Sequence, residues 1–578
     1  MTLMRIAVWV VLVIFASPLQ AQKVPVIEKE LPNGMRLLMV ARHDDPSIAG
    51  GWVAHVGSAN ERPGITGIAH LFEHMMFKGT PTLGTKDYQK DLEIIAEQER
   101  LREQIRQEEA KMREAFRRGE IEDLQKPENK TERLKELEKQ FNETIARQRE
   151  ILVKNEFDRV YTTAGASGMN AFTTHDMTGY FITVPANKLE LWMWMESERL
   201  LRPVFREFYA ERDVVFEERR MRTESTPLGK FQETLESMFW TSHPYHWPVI
   251  GWPTDIPAIS KADADMFYDT YYAPQNITLI LVGDFDPAAA EEMARRYFNR
   301  IARGKNKVPE VVTQEIEQPA EKRMNAEAEA NPQTDIYWHT APFGHKDSYV
   351  LEVVARLLST RTGRLYKGLV LGTEVATDTW ASQDSRKYAG AFNIGGEARE
   401  GHTPEAVEQA IYAELEKLKK EEVPELELQK VKNNFAAYEY RKLSGNMAIL
   451  MQLIFYDGYG DWREINESGP KYQAVTAADI QRVANKYFNK ENRTVAIYTR
   501  KAGTSAAPEI PGLSPVMKSR LQAITAQINQ ETDLPKLQAT LQKIESQAGQ
   551  VPAEQQPFMK ALVEKVQQRI ETLQQEKK

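Results

Sequence analysis

Gly67-Ile68-Ala69-His70-Leu71-Phe72-Glu73-His74-Met75-Met76-Phe77-Lys78-Gly79-Thr80 is the stretch from which the rest of the chain is read. Residues four apart share a helix face, so His70 and His74 can turn both imidazoles toward one metal ion, with Glu73 leaning over the same point. The flanks predict a helix. Pro63-Gly64 opens it, Ile65, Ile68, Leu71, Phe72, Met75 and Met76 supply a broad apolar face, and Lys78-Gly79-Thr80-Pro81 closes it. Two neutral nitrogens and one oxygen, with an open fourth position, form the ligand set of a catalytic zinc site. The plainer reading is two surface histidines on an amphipathic helix. Scarcity weighs against it, because the chain has only 10 His in 578 residues and a chance H-x-x-E-H is correspondingly rare.

Working outward, the chain is too long for one hydrophobic core, so two or more domains are expected. A formal net charge of −8, with no basic tract, argues against a nucleic-acid binder. Arg5 followed by the apolar run Ile6 to Phe15 and then Ala16-Ser17-Pro18-Leu19-Gln20-Ala21 reads as a secretory signal over residues 1–21. A retained anchor is the alternative, although the run is short for a bilayer. This address points to a periplasmic or secreted protein. The absence of Cys leaves no disulfides and no thiolate ligands, so a metal would be held by His, Asp or Glu.

The chain divides into recognisable textures. Strands are expected near Met35–Val40 and Ile48–Val56, before the metal helix. From about 86 to 156 the sequence turns dense in Glu, Lys, Arg and Gln, with apolar stripes Leu101, Ile105, Met112, Phe116 and Leu134, Leu137, Phe141, Ile145. This predicts an antiparallel helical hairpin with arms of about 30 residues, each reaching roughly 45 Å. Strands follow around Asn170–Thr173 and Tyr180–Val184, then helices over Ala186–Leu201 and Phe208–Arg222, a strand at Asn276–Val282 and a helix from Pro287. Residues 22–303 thus form a first α/β unit. The polar, Pro-punctuated stretch 304–330 reads as a linker. Residues 331–507 repeat the element order, which suggests an internal duplication. Residues 508–578 form a Gln-rich helical tail whose stripe Phe558, Leu562, Val566, Ile570 and Leu573 reads as a docking face.

A zinc site needs a third protein ligand. The candidate segment is Glu211-Arg212-Asp213-Val214-Val215-Phe216-Glu217-Glu218, in which Glu211 and Glu218 share a helix face and Glu217 points elsewhere. Spacing does not choose between Glu211 and Glu218.

The inverted zinc motif marks inverzincins, and from about Val26 to Arg500 the chain resembles the insulinase/pitrilysin family, particularly its bacterial, processing-peptidase-like branch. The resemblance rests on Gly67 to Thr80, on Asn170-Ala171-Phe172-Thr173, on Glu211 to Glu218, and on Tyr271-Tyr272-Ala273-Pro274-Gln275-Asn276 through Val282-Gly283-Asp284. It implies an α+β fold of two homologous halves, each an antiparallel-rich sheet packed by helices. The hairpin is then an insertion near the mouth of a substrate chamber. It also implies a zinc-dependent endopeptidase with one Zn2+ held by His70, His74 and Glu218, and Glu211 as a supporting carboxylate. Glu73 would be the general base, and Asn170, Ala171 and Phe172 an edge strand to which a peptide adds. Zinc rather than manganese or cobalt follows from ligand type.

One departure has consequences. Family members that act alone carry an Arg and a Tyr seven apart in the second half, and here Val370 and Thr377 fall at those places, with Arg364 and Tyr366 nearby at the wrong spacing. The resemblance therefore implies the zinc-bearing subunit of a pair, completed by a related chain that carries the Arg/Tyr; a homodimer is the rival. The alternatives of a different kind are a non-catalytic scaffold of the same fold, against which the retained His70, Glu73, His74 and Glu218 speak, and a peptide-binding chaperone.

Overall fold

The computed structural model describes residues 23–124, 126–501 and parts of 517–576. The expected signal segment, residues 1–21, lies outside the described residues. Eleven strands fall into two sheets. The first contains β1 (Ile27–Glu30), β2 (Arg36–Ala41), β3 (Ser47–Ala54), β4 (Ser167–Thr173), β5 (Thr178–Pro185) and β6 (Ile277–Gly283), in the order β1-β2-β6-β3-β5-β4. The second contains β7 (Lys322–Ala328), β8 (Gln333–Thr340), β9 (Ala376–Ser385), β10 (Gly390–Ala398) and β11 (Arg493–Arg500), in the order β7-β11-β8-β10-β9.

These orders are one topology used twice. In each half the first and last long strands pair parallel, β2 with β6 and β7 with β11, and every other pairing is antiparallel. The helices correspond too. Ile68–Met75 follows β3 as Lys346–Leu358 follows β8, and Leu189–Leu201 with Phe208–Arg219 follow β5 as Pro404–Lys420 with Glu425–Lys442 follow β10. The fold is thus the expected α+β architecture of two similar halves.

Each half lends the other the third helix that follows its β5 or β10. Helix Asn446–Tyr459 buries Ile449, Leu450, Leu453 and Ile454 against Leu38, Val40, Ala49, Val53, Ile280 and Val282 of the first sheet. The alternate residues of the same strands, among them Leu37, Met39, Ile48, Trp52, Leu279 and Leu281, face the helices of their own half. A strand shows its side chains to opposite faces in turn, so the apolar runs in β2, β3 and β6 follow from covering both faces. Helix Gly229–Phe239 crosses the other way and places Leu235 on Ala496 and Tyr498 of β11.

Three details differ from the sequence reading. The hairpin arms are unequal, Tyr88–Arg117 with 30 residues and Glu132–Ile151 with 20, because the residues between them run as turns and one short helical turn at Pro127–Asn129. The stretch read as a linker ends in β7, whose charged residues alternate with Met324, Ala326 and Ala328; charges on the open side of an edge strand hide its strand character. The tail stripe is not an open face. Leu562, Val566, Ile570 and Leu573 are buried against Leu521, Ile528 and Leu537 of the tail itself.

The second half has its own polar anchor. Asp347, fully buried at the start of helix Lys346–Leu358, accepts from Arg482 (2.8 Å), Lys486 (2.9 Å) and Tyr487 (2.8 Å). Burial would raise its carboxyl, but these partners outweigh that and hold it below the usual carboxylate range. A depressed carboxyl contributes its stabilisation above its unfolded-state pKa near 4 and loses it as acid protonates the folded form. Asp347→Asn is therefore expected to lower stability at pH 7 by about 2 kcal/mol. The difference from the parent should shrink as pH falls below about 4, read by denaturant unfolding across pH.

Candidate active site

The motif helix Ile68–Met75 is fixed at its start by remote carboxylates. Gly67 turns into it with φ +92°, where a Cβ would lie 2.5 Å from the Ile250 carbonyl oxygen. Glu61 accepts from the N–H groups of Gly67 (2.9 Å) and Ala69 (2.8 Å), and Asp255 from those of Gly64 and Thr66. Acidic groups at a helix N-terminus satisfy its orphan donors and its dipole. Burial pushes the Glu61 carboxyl well above its usual range, against the pull of those two N–H groups. Leu71, Phe72 and Met75 face the core, where the Phe72 ring meets Phe205, Phe267 and Tyr272 at 5.2–5.4 Å. The opposite face is left to His70, Glu73 and His74.

Helix Phe208–Arg219 supplies the carboxylates. Glu218 Oε2 lies 3.4 Å from His74 Nε2 and 3.9 Å from His70 Nε2. Among the described residues, His70, His74 and Glu218 are the one trio of such side chains whose donor atoms all lie within 4.8 Å. Tetrahedral zinc with bonds of 2.0–2.1 Å places neighbouring donors roughly 3.3 Å apart, so the trio fits such an ion with a small contraction. Glu211 stands behind it. Its Oε1 meets His74 Nδ1 at 2.9 Å, which leaves Nε2 facing the trio, and its Oε2 takes Lys78 Nζ at 2.5 Å. A carboxylate on the far nitrogen of a ligand histidine fixes its tautomer and basicity. Glu217 points away to Arg220, and Arg222 holds Glu218 Oε1 at 2.6 Å. Glu218 thus sits with its free oxygen inward.

The carboxylates around the cluster favour one positive charge between them, a proton on His74 that a bound metal would displace. Burial, with the neighbouring His74, pushes His70 down to about 4, so its imidazole is neutral. Burial opposes protonation of His74 as well, but Glu211 and Glu218 overcome it and lift it to about 9. Burial likewise opposes ionisation of Glu211, which His74 and Lys78 nonetheless hold down to about 2. The hydrogen bond from His74 lowers Glu218. Burial raises Glu73, partly countered by the Thr173 hydroxyl, which donates to Glu73 Oε2 at 2.7 Å.

Thr173 is a residue that sequence reasoning passed over. It ends β4, and alternation along the strand puts it on the Ala171 side, toward the motif helix, while Phe172 turns to the other face and stacks on Phe455 at 4.9 Å. Asn170 and Ala171 border a cleft of about 490 Å³ that opens on Glu73 and His74 and is walled by Leu152 to Phe157, the return of the hairpin. β4 is the last strand of its sheet, and the Asn170 carboxamide oxygen takes the Ala171 N–H at 2.9 Å. Of the three residues expected to receive a peptide, Asn170 and Ala171 therefore face the cleft and the Phe172 side chain does not.

The second half offers no counterpart to the expected Arg/Tyr. Arg364 is held by both oxygens of Glu427, at 3.0 and 2.7 Å; Val370 is buried; and Thr377 donates to Glu397.

The two-halved α+β fold and the inverted His/Glu cluster in its first half can be set beside known proteins. Residues 37–101 match the family model described as insulinase (peptidase family M16), and residues 258–435 the one described as peptidase M16 inactive domain. The zinc protease PqqE of Helicobacter pylori is 25% identical over 479 residues, 81% of this chain and 91% of that protein. The crystal structure of a protease from Helicobacter pylori superposes with a TM-score of 0.67 at 23% identity, covering 82% of this chain and 99% of that one. The periplasmic protease PqqL from Escherichia coli gives a TM-score of 0.60 at 16% identity, over 87% of this chain and 50% of that one. The chain belongs to the insulinase/pitrilysin-type peptidase family M16.

Loss of the support behind His74 provides a test of the cluster. Glu211→Gln is expected to weaken zinc binding by 10–100-fold without unfolding the chain, read by competition with a chromogenic chelator.

Proposed function

We propose that this protein is a zinc-dependent endopeptidase acting on peptides or unfolded polypeptides. The observation that carries the reading is the convergence of His70, His74 and Glu218 with Glu73 beside them, its carboxylate already held by Thr173. Zinc held by His70, His74 and Glu218 would supply a Lewis acid that polarises the scissile carbonyl and acidifies water. Glu73 takes the proton from the attacking water at its carboxylate and returns it to the leaving amine. Thr173 holds Glu73 through Oε2, the oxygen that lies 4.0 Å from His70 Nε2, and so fixes the carboxylate beside the cluster. Glu211 holds the His74 ring in place. A substrate adds along the open edge of β4, exchanging the Asn170 side chain on the Ala171 N–H for its own backbone.

The engaged state of Arg364 and the presence of Val370 and Thr377 support a division of labour in which a related subunit brings the missing Arg/Tyr. The apolar run behind Arg5 supports export to the periplasm or beyond, and no helix of the described residues is long and apolar enough to cross a membrane.

Glu73→Gln is expected to retain zinc, shown by metal analysis, while hydrolysis of an unstructured peptide falls by about 10²–10⁴-fold. Thr173→Val should lower turnover roughly tenfold, the worth of a hydrogen bond to a charged group. Undiminished cleavage by the Glu73 variant would remove the reading. Assaying the pure chain alone and with an Arg/Tyr-bearing relative tests the pairing; full activity of the chain alone would discard it.

A further inference from the structure

The duplication gives the His/Glu cleft a counterpart. In the first half that cleft lies between the motif helix and helix Phe208–Arg219. By chain order, the equivalent helices of the second half are Lys346–Leu358 and Glu425–Lys442. A cavity of about 230 Å³ lies between them, at the end of the helix that corresponds to the motif helix. It carries no metal donor set. Its one lining carboxylate, Glu427, is already taken by Arg364.

In place of metal ligands the cavity gathers cations. Arg356, Lys367, Lys430 and Arg441 line it from three separate stretches of chain, and no carboxylate of the described residues lies within ion-pair distance of any of them. Arg356 rests over the rings of Phe435 (5.8 Å) and Tyr438 (5.5 Å). The acidic group coupled to it, Glu352, is pushed up to about 7 by burial and so gives up part of its charge near neutrality. Elsewhere on the surface, cations of this chain are repeatedly met by carboxylates, so a pocket that collects four without one lacks its counter-charge. Like charges gathered at a concave surface repel one another and raise the local concentration of anions. The mouth adds hydroxyls: Thr360 and Thr362 stand with their oxygens 3.4 Å apart. Thr360 is held at φ +75°, an uncommon conformation for a β-branched residue, of the kind that clusters at ligand sites.

We propose that the second-half cleft is a binding site for a compact oxyanion carrying at least two negative charges, a phosphoryl group in the first instance, held by Arg356, Lys367, Lys430 and Arg441 with the threonine hydroxyls at its mouth. Arginine and lysine donors make charge-assisted hydrogen bonds to such groups, the arginine fork bidentately. The duplicated element would thus have exchanged a cation site for an anion site. This inference is independent of peptide hydrolysis.

The test is calorimetric titration of the zinc-loaded full chain with inorganic phosphate, pyrophosphate and succinate at fixed ionic strength. Saturable binding of phosphate and pyrophosphate is expected, weakened at least tenfold in K430Q/R441Q and in K367Q/K430Q. K432Q, on the same helix but outside the cavity, should bind as the parent does. Succinate binding with the same variant sensitivity would support the site and extend its ligand to dicarboxylates. Absence of saturable binding would overturn the proposal, and so would phosphate binding unchanged in both double variants, which would place the anion elsewhere, including at the zinc. E73Q should titrate like the parent, so failure of the peptidase reading and failure of this one are told apart. Matching circular-dichroism melts show that the variants fold.

Discussion

The buried guanidinium of Arg206 is the joint on which the His/Glu cluster depends. It lies only 1% exposed, pairs with Asp91 at the start of the helical hairpin, and donates to the carbonyls of Lys78, Thr80 and Leu83, the loop that ends the motif helix. Two residues later begins the helix that bears Glu211 and Glu218. One side chain therefore sets the histidine helix, the glutamate helix and the hairpin in fixed relation. Burying a charge costs several kcal/mol and is stabilising only when paired and fully hydrogen-bonded; here an aspartate and three carbonyls meet that condition. Gly79 completes the joint. At φ +101° it passes so close to Leu83 that a Cβ would lie 2.3 Å from its carbonyl oxygen.

The hairpin is accordingly part of the site rather than an appendage. Where it leaves and returns, the Val153 N–H donates to the Gly84 carbonyl and Glu156 accepts from the Gly84 N–H, and Tyr209 on the glutamate helix meets Phe141 at 5.6 Å and donates to Glu99. Its root walls the cleft beside Glu73. A hairpin of this size could have been a freely moving arm. Its apolar stripe, closed against Tyr209 and Arg102, makes it an extension of the first core.

Much of this was legible in the sequence because it obeys periodicity. The motif, the strands on either side of it and the helix carrying Glu218 show as runs of period 3.6 or 2. What stayed hidden depends on pairing across the chain. That Glu218 rather than Glu211 faces both imidazoles is decided by Lys78 and Arg222, each holding one carboxylate in place. Thr173 has no signal of its own beyond its place in the alternation of β4. Helix Asn446–Tyr459 is apolar enough to announce burial, yet nothing in its sequence says that the sheet it covers belongs to the other half. The tail stripe reads as a docking face for the same reason, since a sequence shows that a face is covered but not by what.

The exchange of helices limits how far the halves can have diverged. Asp457, on the helix lent by the second half, is fully buried against the first sheet, where it meets His55 at 2.9 Å and Arg36 at 3.1 Å. Each sheet packs part of one face against a helix from the other half, so the two halves share their cores. The sheet and the crossing helix of the second half are tied by that burial, but the surface between helices Lys346–Leu358 and Glu425–Lys442 is not. That surface gathers Arg356, Lys430 and Arg441, whereas the cleft of the first half gathers Glu73, His74 and Glu211. Divergence therefore concentrates in the cleft and spares the scaffold. Two sheets with the same strand order thus carry differently charged clefts between corresponding helices.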